Sequence, residues 1–465
     1  MAAPTGTAAR VASTERVTGR TLHFLLNIRT RSRPSEAAPF EIPTGNTGGE
    51  DEQQTAIQLN SDETELAPDD EQDEVGIPTA ILDRHTLERL RAMRLLILDE
   101  ISMVSSELLD MLDCCMRYAR SCNRPFGGCV VMVVGDFFQL APILSAAAIA
   151  RAKGRGWAFQ SLVWPHFRPV QLVQLVRQQG DTRFAEVLNR MRVGASTWAD
   201  AVWLNLQGNA GTRMPAQTLA IFPSNSKCAV RNVSMIKALD GPDILLEPSY
   251  SCVQLVSARP WRVAPAAPPA GRQVRYHPQG TSTITLRIGC RVRATRNVYT
   301  GNYPYRELEI ANGQRGTVTD TDFENPATQT ITVCWDAIGT LPAMEMAVAR
   351  VTWSRRQSFR AHNLNPQGNP VFALSRQFPL TVAYALTVHS GQGMSVDHGV
   401  DIDHKVVEPK KEGGWGPKAG GAYVAISRAT TMQNVNLLQR FVPSDAVAND
   451  TVASYYGQAF GAVAQ

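Results

Sequence analysis

The chain has 465 residues, 44% of them hydrophobic and 19% charged, which suits a soluble protein of two to four domains. No stretch reaches the roughly 18 apolar residues needed to cross a bilayer, so no membrane association is expected. The net charge of +4 hides an asymmetry: residues 34–83 hold fourteen acids and no Lys or Arg, leaving 46 basic against 28 acidic residues elsewhere.

Nearly all of that excess is arginine, 39 Arg to 7 Lys, and the planar guanidinium fork suits phosphate. A polyanionic partner is the natural inference. The opening MAAPTGTAAR, followed by Arg16, Arg20, Arg29, Arg31 and Arg33, has the composition of an organellar transit peptide. Its spacing also suits a strand end and a loop. The acidic segment 34–83 has too few apolar groups to offset its ordering entropy and reads as a disordered loop.

RLLILDE at 94–100 is then a short apolar strand ending in two acids. SSELLDMLDCCMRYAR at 105–120 reads as a helix with Ser105 or Ser106 as N-cap and Leu108, Leu112, Cys115 and Ala119 on one face. GCVVMVVGD at 128–136 is a second apolar strand ending in an acid. Strand–helix–strand with unbroken apolar strands predicts a parallel sheet covered on both faces. PWRVAPAAPPAGR at 260–272 reads as a proline-rich linker, 282–333 alternates like a small β-barrel, and 408–421 reads as an exposed loop. The eight cysteines include no C-x-x-C pair and are expected to be free thiols rather than zinc ligands.

In an open parallel sheet, ligands sit beyond the carboxyl ends of the strands, where Asp99 and Glu100 fall. An Asp there can hold Mg²⁺ through water, and a neighbouring Glu can deprotonate a water attacking a γ-phosphate. The next strand ends in GDFFQLAP, placing Gln139 on the same edge as a candidate sensor of the terminal phosphate.

DEISM at 99–103, PFGG at 125–128 and GDFFQLAP at 135–142 resemble the superfamily 1B DNA helicases, most closely the Pif-type family related to RecD. Arg177-Gln178 with FAEVLNRMRVG at 184–194 is similar to the family's fourth motif. NGQRGTV at 312–318 is similar to the turn of its inserted barrel. FPLTVAYALTVHSGQGMSVD at 378–397 is similar to motif five, and AYVAISRAT at 422–430 to motif six. Motif Ia is matched by Ala3 to Ala9, including Pro4, Thr5 and Gly6, and a G-x-T-x-H segment by Gly19 to His23. This accounts for the N-terminus better than a transit peptide does.

The resemblance implies an α/β fold of two RecA-like parallel-sheet motor domains with a small inserted β-barrel. The implied first motor domain is 1–176 and the second is 177–259 with 365–465. A linker at 260–281 and the barrel at 282–364 complete the division. It implies ATP and Mg²⁺ as cofactors, with Asp99 on the metal, Glu100 activating water and Gln139 sensing phosphate. Arg177 and Arg428 would act as arginine fingers, and Gly393 would lie against the nucleotide. Single-stranded DNA would be held by Pro4, Thr5, Gly6 and His23 from one lobe and Thr387, His389 and Gln392 from the other. A monomer acting on single strands and junctions, moving 5′ to 3′ in recombination, repair or telomere upkeep, is the implied activity. The nucleus is the expected compartment, with the mitochondrion as alternative.

Two departures stand out. Where the family usually has His-Lys-Ser-Gln-Gly, this chain has His389-Ser390-Gly391-Gln392-Gly393, without the lysine. The dipeptide Gly-Lys occurs nowhere, so the G-x-x-x-x-G-K-[ST] phosphate cradle is not within these 465 residues. The expectation is an N-terminally incomplete helicase, or else an ATPase-dead nucleic-acid-binding relative of one.

Overall fold

Two parallel sheets, each four-stranded, form the frame. The first has the order Arg20–Thr21, Ala2–Ala3, Leu95–Leu98, Val130–Val133. The second has the order Ala385–Thr387, Leu219–Phe222, Val400–Ile402, Val435–Leu437. This computed structural model describes residues 2–3, 20–21, 84–144, 155–208, 218–258, 261–265, 282–300, 307–324, 329–337, 342–356, 371–409 and 415–461. Pro4, Thr5, Gly6 and His23, and the acidic segment 34–83, lie outside the described residues.

Leu96 and Leu98 alternate into the first core at 2% and 1% exposure, as a period-two strand requires, while Leu95 is half exposed. Among the described residues, coverage of this sheet is incomplete at its edge. Val130–Val133 is the edge strand, and Val130 and Met132 remain 65% and 46% exposed. The following helix, Ser106–Arg120, is capped by Ser105, whose hydroxyl accepts from the Leu108 N–H. Its buried face is Leu109, Leu112, Met116 and Ala119; the anticipated face is rotated slightly, so that Leu108 and Cys115 are only partly covered.

The second core gathers Phe184, Leu188 and Met191 from the helix Thr182–Arg192 with Ile221, Val400 and Ile402 from the sheet. Each such side chain contributes roughly 1.5–3 kcal/mol on burial. A third core, around Trp335, Val292, Val318 and Ile331, lies within a five-stranded antiparallel sheet. That sheet runs Met344–Ala349, Thr330–Trp335, Arg315–Asp322, Arg291–Ala294, Leu380–Val382.

Several boundaries differ from the sequence-based expectation. Trp261–Pro265, inside the supposed linker, is a strand paired with Ser249–Ala258. Ser249–Ala258 in turn pairs with Val371–Gln377, and that strand with Val351–Arg356, so the inserted β-region recruits residues from both flanks. The supposed loop at 408–421 contains an antiparallel pair, Val407–Pro409 with Trp415–Pro417. The C-terminal helix Asp450–Phe460 packs Val452 and Tyr456 into the first core, not the second.

Candidate functional site

The strand Leu95–Leu98 delivers Asp99 and Glu100 past its carboxyl end, and Glu100 has left-handed backbone angles (φ 51°, ψ 47°). A non-glycine residue there costs of order 1–3 kcal/mol, a strain typical of sites where a side chain must be aimed. The Ile101 N–H bonds to the Val134 carbonyl at 3.0 Å, fixing the turn against the neighbouring strand end.

Residues of the second lobe close over Glu100. Gln392 Nε2 donates to Glu100 Oε2 at 3.3 Å and to Ser102 Oγ at 3.2 Å. Gly393, at φ +81°, lies so close that a Cβ would sit 3.2 Å from Glu100 Oε1. Burial, with the Asp99 charge second, raises the Glu100 pKa, while the Gln392 hydrogen bond and the charges of Arg428 and Arg177 pull the other way. A raised pKa suits a carboxylate that must take a proton from water. Ser102, which the sequence reading passed over, completes the seat of Gln392.

Arg177 Nε donates to Ser395 Oγ at 2.8 Å and Nη1 to the Ser427 carbonyl at 3.5 Å. Gln178 is buried and pins the same segment, donating to the Ala429 carbonyl at 3.0 Å. Arg428 is 2% exposed and donates to the Val424 and Met394 carbonyls and to Ser427 Oγ, at 2.8, 3.2 and 2.9 Å. Burial, and then the like charge of Arg177, draws its pKa down to about 10. Arg428 is thus a buried pin of its own lobe as well as a charge facing Glu100.

Asp99 Oδ1 accepts from the Glu100 N–H at 2.8 Å, and the other oxygen makes no hydrogen bond among the described residues. One free carboxylate oxygen fits Mg²⁺, which is usually held by one or two carboxylates together with water and phosphate. Gln139 comes from the turn that follows the next strand, Val130–Val133. Its Oε1 is buried with no hydrogen-bond partner among the described residues, and it lines a cavity of about 70 Å³ with Phe138, Glu408, Lys418 and Asn449. Among the described residues, no hydrogen bond links it to Glu100, Arg177 or Arg428.

Thr387 and His389 make contacts of their own. The Thr387 hydroxyl accepts from the Ser390 N–H at 3.3 Å. His389 Nε2 is 3.1 Å from Lys418 Nζ, and burial, then the Lys418 charge, pushes its pKa down to about 4. Lys418 was not singled out in sequence; only the folded hairpin brings it to His389. The lobes also meet at Asp136, which takes a bidentate contact from Arg192 (2.9 and 2.7 Å) and hydroxyls from Tyr423 and Tyr456 (3.3 and 3.4 Å).

The chain is similar to known proteins in sequence and in fold. Residues 69–201 match the family model for PIF1-like helicase. The ATP-dependent DNA helicase Pif1 of Bdellovibrio bacteriovorus is 28% identical over 385 residues, covering 81% of this chain and 73% of that protein. Human ATP-dependent DNA helicase PIF1 is 27% identical over 366 residues, and the chain spans about half of its length (48%). In fold, the chain is similar to Bacteroides Pif1 bound to single-stranded DNA, with TM-score 0.66, 22% identity, and coverage of 98% of this chain and 86% of that one. Bacteroides Pif1 with ADP-AlF3 and single-stranded DNA gives the same TM-score of 0.66 at 22% identity, covering 99% and 87%. With its motifs gathered on this two-lobed frame, the chain is similar to the PIF1-like helicases in sequence and in fold.

Proposed function

We propose that this chain is the motor of an ATP-dependent DNA helicase that moves 5′ to 3′ on single strands and serves recombination, repair or telomere upkeep, in the nucleus. One observation supports the reading above the others: Glu100, Gln392, Gly393, Arg177 and Arg428 converge from two lobes on one set of strand ends. Glu100 accepts the proton of the attacking water. Arg177 and Arg428 supply positive charge where negative charge grows on the transferred group. Gln392 orients the Glu100 carboxylate and reports lobe closure to it. Asp99 would hold Mg²⁺, which when bound would supply charge neutralisation on the phosphates. Closure and release of the crevice then move the two lobes relative to each other along the strand.

Hydrolysis also needs a phosphate cradle, which these 465 residues do not carry. The chain by itself is therefore expected to bind strands without turning over nucleotide, which is the rival reading of a binding protein. The test fuses a strand–P-loop–helix segment from a relative ahead of Ala2 and measures phosphate release with and without oligothymidylate. Strand-stimulated hydrolysis supports the helicase; binding without hydrolysis in the fused protein supports the rival. Absence of both sinks the two readings together.

A further inference from the structure

The strand Arg291–Ala294 sends Val292 and Ala294 into the third core and Arg291 and Arg293 to the opposite face. Arg291 is satisfied there: it meets Asp336 and donates to Thr317 Oγ1 at 2.8 Å. Arg190, Arg192, Arg231 and Arg287 likewise each face an aspartate. Arg293 does not. Among the described residues it has no carboxylate within ion-pair reach, and its guanidinium makes one long hydrogen bond, Nη1 to Ser390 Oγ at 3.5 Å.

Burial pulls the Arg293 pKa down, with a small opposing influence from Cys228, whose own thiol burial pushes up to about 11 and so keeps neutral. A guanidinium stays protonated regardless, so a partly buried charge with several unused donors is left beside the turn. Two hydroxyls share that spot: Thr387 Oγ1 and Ser390 Oγ are 3.0 Å apart, and Ser390 is exposed. A planar fork with hydroxyls beside it is the donor set that a phosphodiester accepts.

We propose that Arg293, from the inserted β-region, grips a backbone phosphate of a single strand lying on the Thr387–Ser390 turn of the second lobe. This rests on the helicase reading above. The grip supplies from another element the cation that the turn lacks, since Ser390 stands where the family usually has lysine. It is sequence-independent, and it ties the inserted region to the strand rather than leaving it an ornament of the fold.

The test is fluorescence anisotropy of a labelled oligothymidylate with the full chain across a salt series. Arg293→Ala should weaken binding about five- to tenfold and reduce the slope of log affinity against log salt by about 0.7, one phosphate contact. Adding Ser390→Lys to that variant should restore both, by returning a cation to the turn. Arg293→Gln, which keeps the stem and a donor for Ser390, should lose the same slope, separating charge from packing if Arg293→Ala folds poorly. An unchanged slope in a folded Arg293→Gln protein, with wild-type binding intact, overturns the grip and spares the helicase reading. Failure of the wild-type chain to bind the oligonucleotide overturns both.

Discussion

Gln392 and Glu100 come from opposite lobes and meet at 3.3 Å, so the side chain that would accept a proton is oriented by a residue outside its own domain. The hydrogen bond favours the carboxylate, against the burial that raises its pKa. In the P-loop-fused protein, Gln392→Leu should therefore move the acid limb of strand-stimulated hydrolysis to higher pH. A kcat/KM profile against pH measures it. An unmoved limb would remove Gln392 from this role.

Glu100→Gln should lower hydrolysis of the fused protein by at least about 10²-fold while leaving strand binding in place. The same change should raise the melting temperature at neutral pH. A carboxyl whose folded pKa lies above the unfolded value contributes stability in full below about 4.5, and that contribution is lost as pH rises through the folded pKa. Glutamine does not pass through that loss. Calorimetry at neutral pH and again near pH 4 should show the gain shrinking at the acid end.

Arg428 has three protein acceptors and almost no exposure, so its removal strands buried carbonyls. Arg428→Ala should cost about 2–4 kcal/mol of stability, read by urea unfolding. A milder loss for Arg428→Lys, with hydrolysis still impaired in the fused protein, would separate the charge from the fork.

His389 should make the fold acid-sensitive. Its pKa falls from 6.5 to about 4 on folding, so the unfolded chain takes up a proton first. Stability conferred by the neutral ring is present above about pH 6.5 and drains away as pH falls toward 4. His389→Asn should flatten the stability curve across that window. Lys418→Met should leave the onset in place and raise the lower end of that window, because the folded ring loses its positive neighbour but keeps its burial.

The ion pair between Arg192 and Asp136 is mostly covered, with side-chain exposures of 19% and 18%. Burial alone would lower the Arg192 pKa, but the hydrogen bonds and charge of Asp136 raise it above the usual value. Breaking the pair with Asp136→Asn should destabilise by about 3 kcal/mol, and Arg192→Met should cost less than the sum when combined with it. Additive losses in that cycle would mean that the two side chains do not act together.

The parts readable from sequence were those with local signatures. The apolar run before Asp99 and Glu100 fixed a strand end, and Ser105 marked a helix start. Long-range partners left no such mark. Nothing near Lys418 in the chain points to His389, because a hairpin 29 residues away supplies the contact. The resemblance placed Gln392 with Thr387 and His389 on the strand, and its hydrogen bond to Glu100 is a further contact that no local pattern announces. Proline content at 260–272 suggested a linker, but Trp261–Pro265 pairs as a strand whose first residues precede most of those prolines.

The C-terminal helix crosses back to the first lobe, where Tyr455 packs against Phe137 and Phe159 and bonds Trp164, and Tyr456 reaches Asp136. The two lobes are thereby joined twice, once by the chain passing from 176 to 182 and once by its return. A body fastened at two places cannot swing freely. Any opening of the crevice that preserves these bonds must leave the contacts of Asp136 with Arg192, Tyr423 and Tyr456 in place, so that carboxylate restricts how the lobes can part.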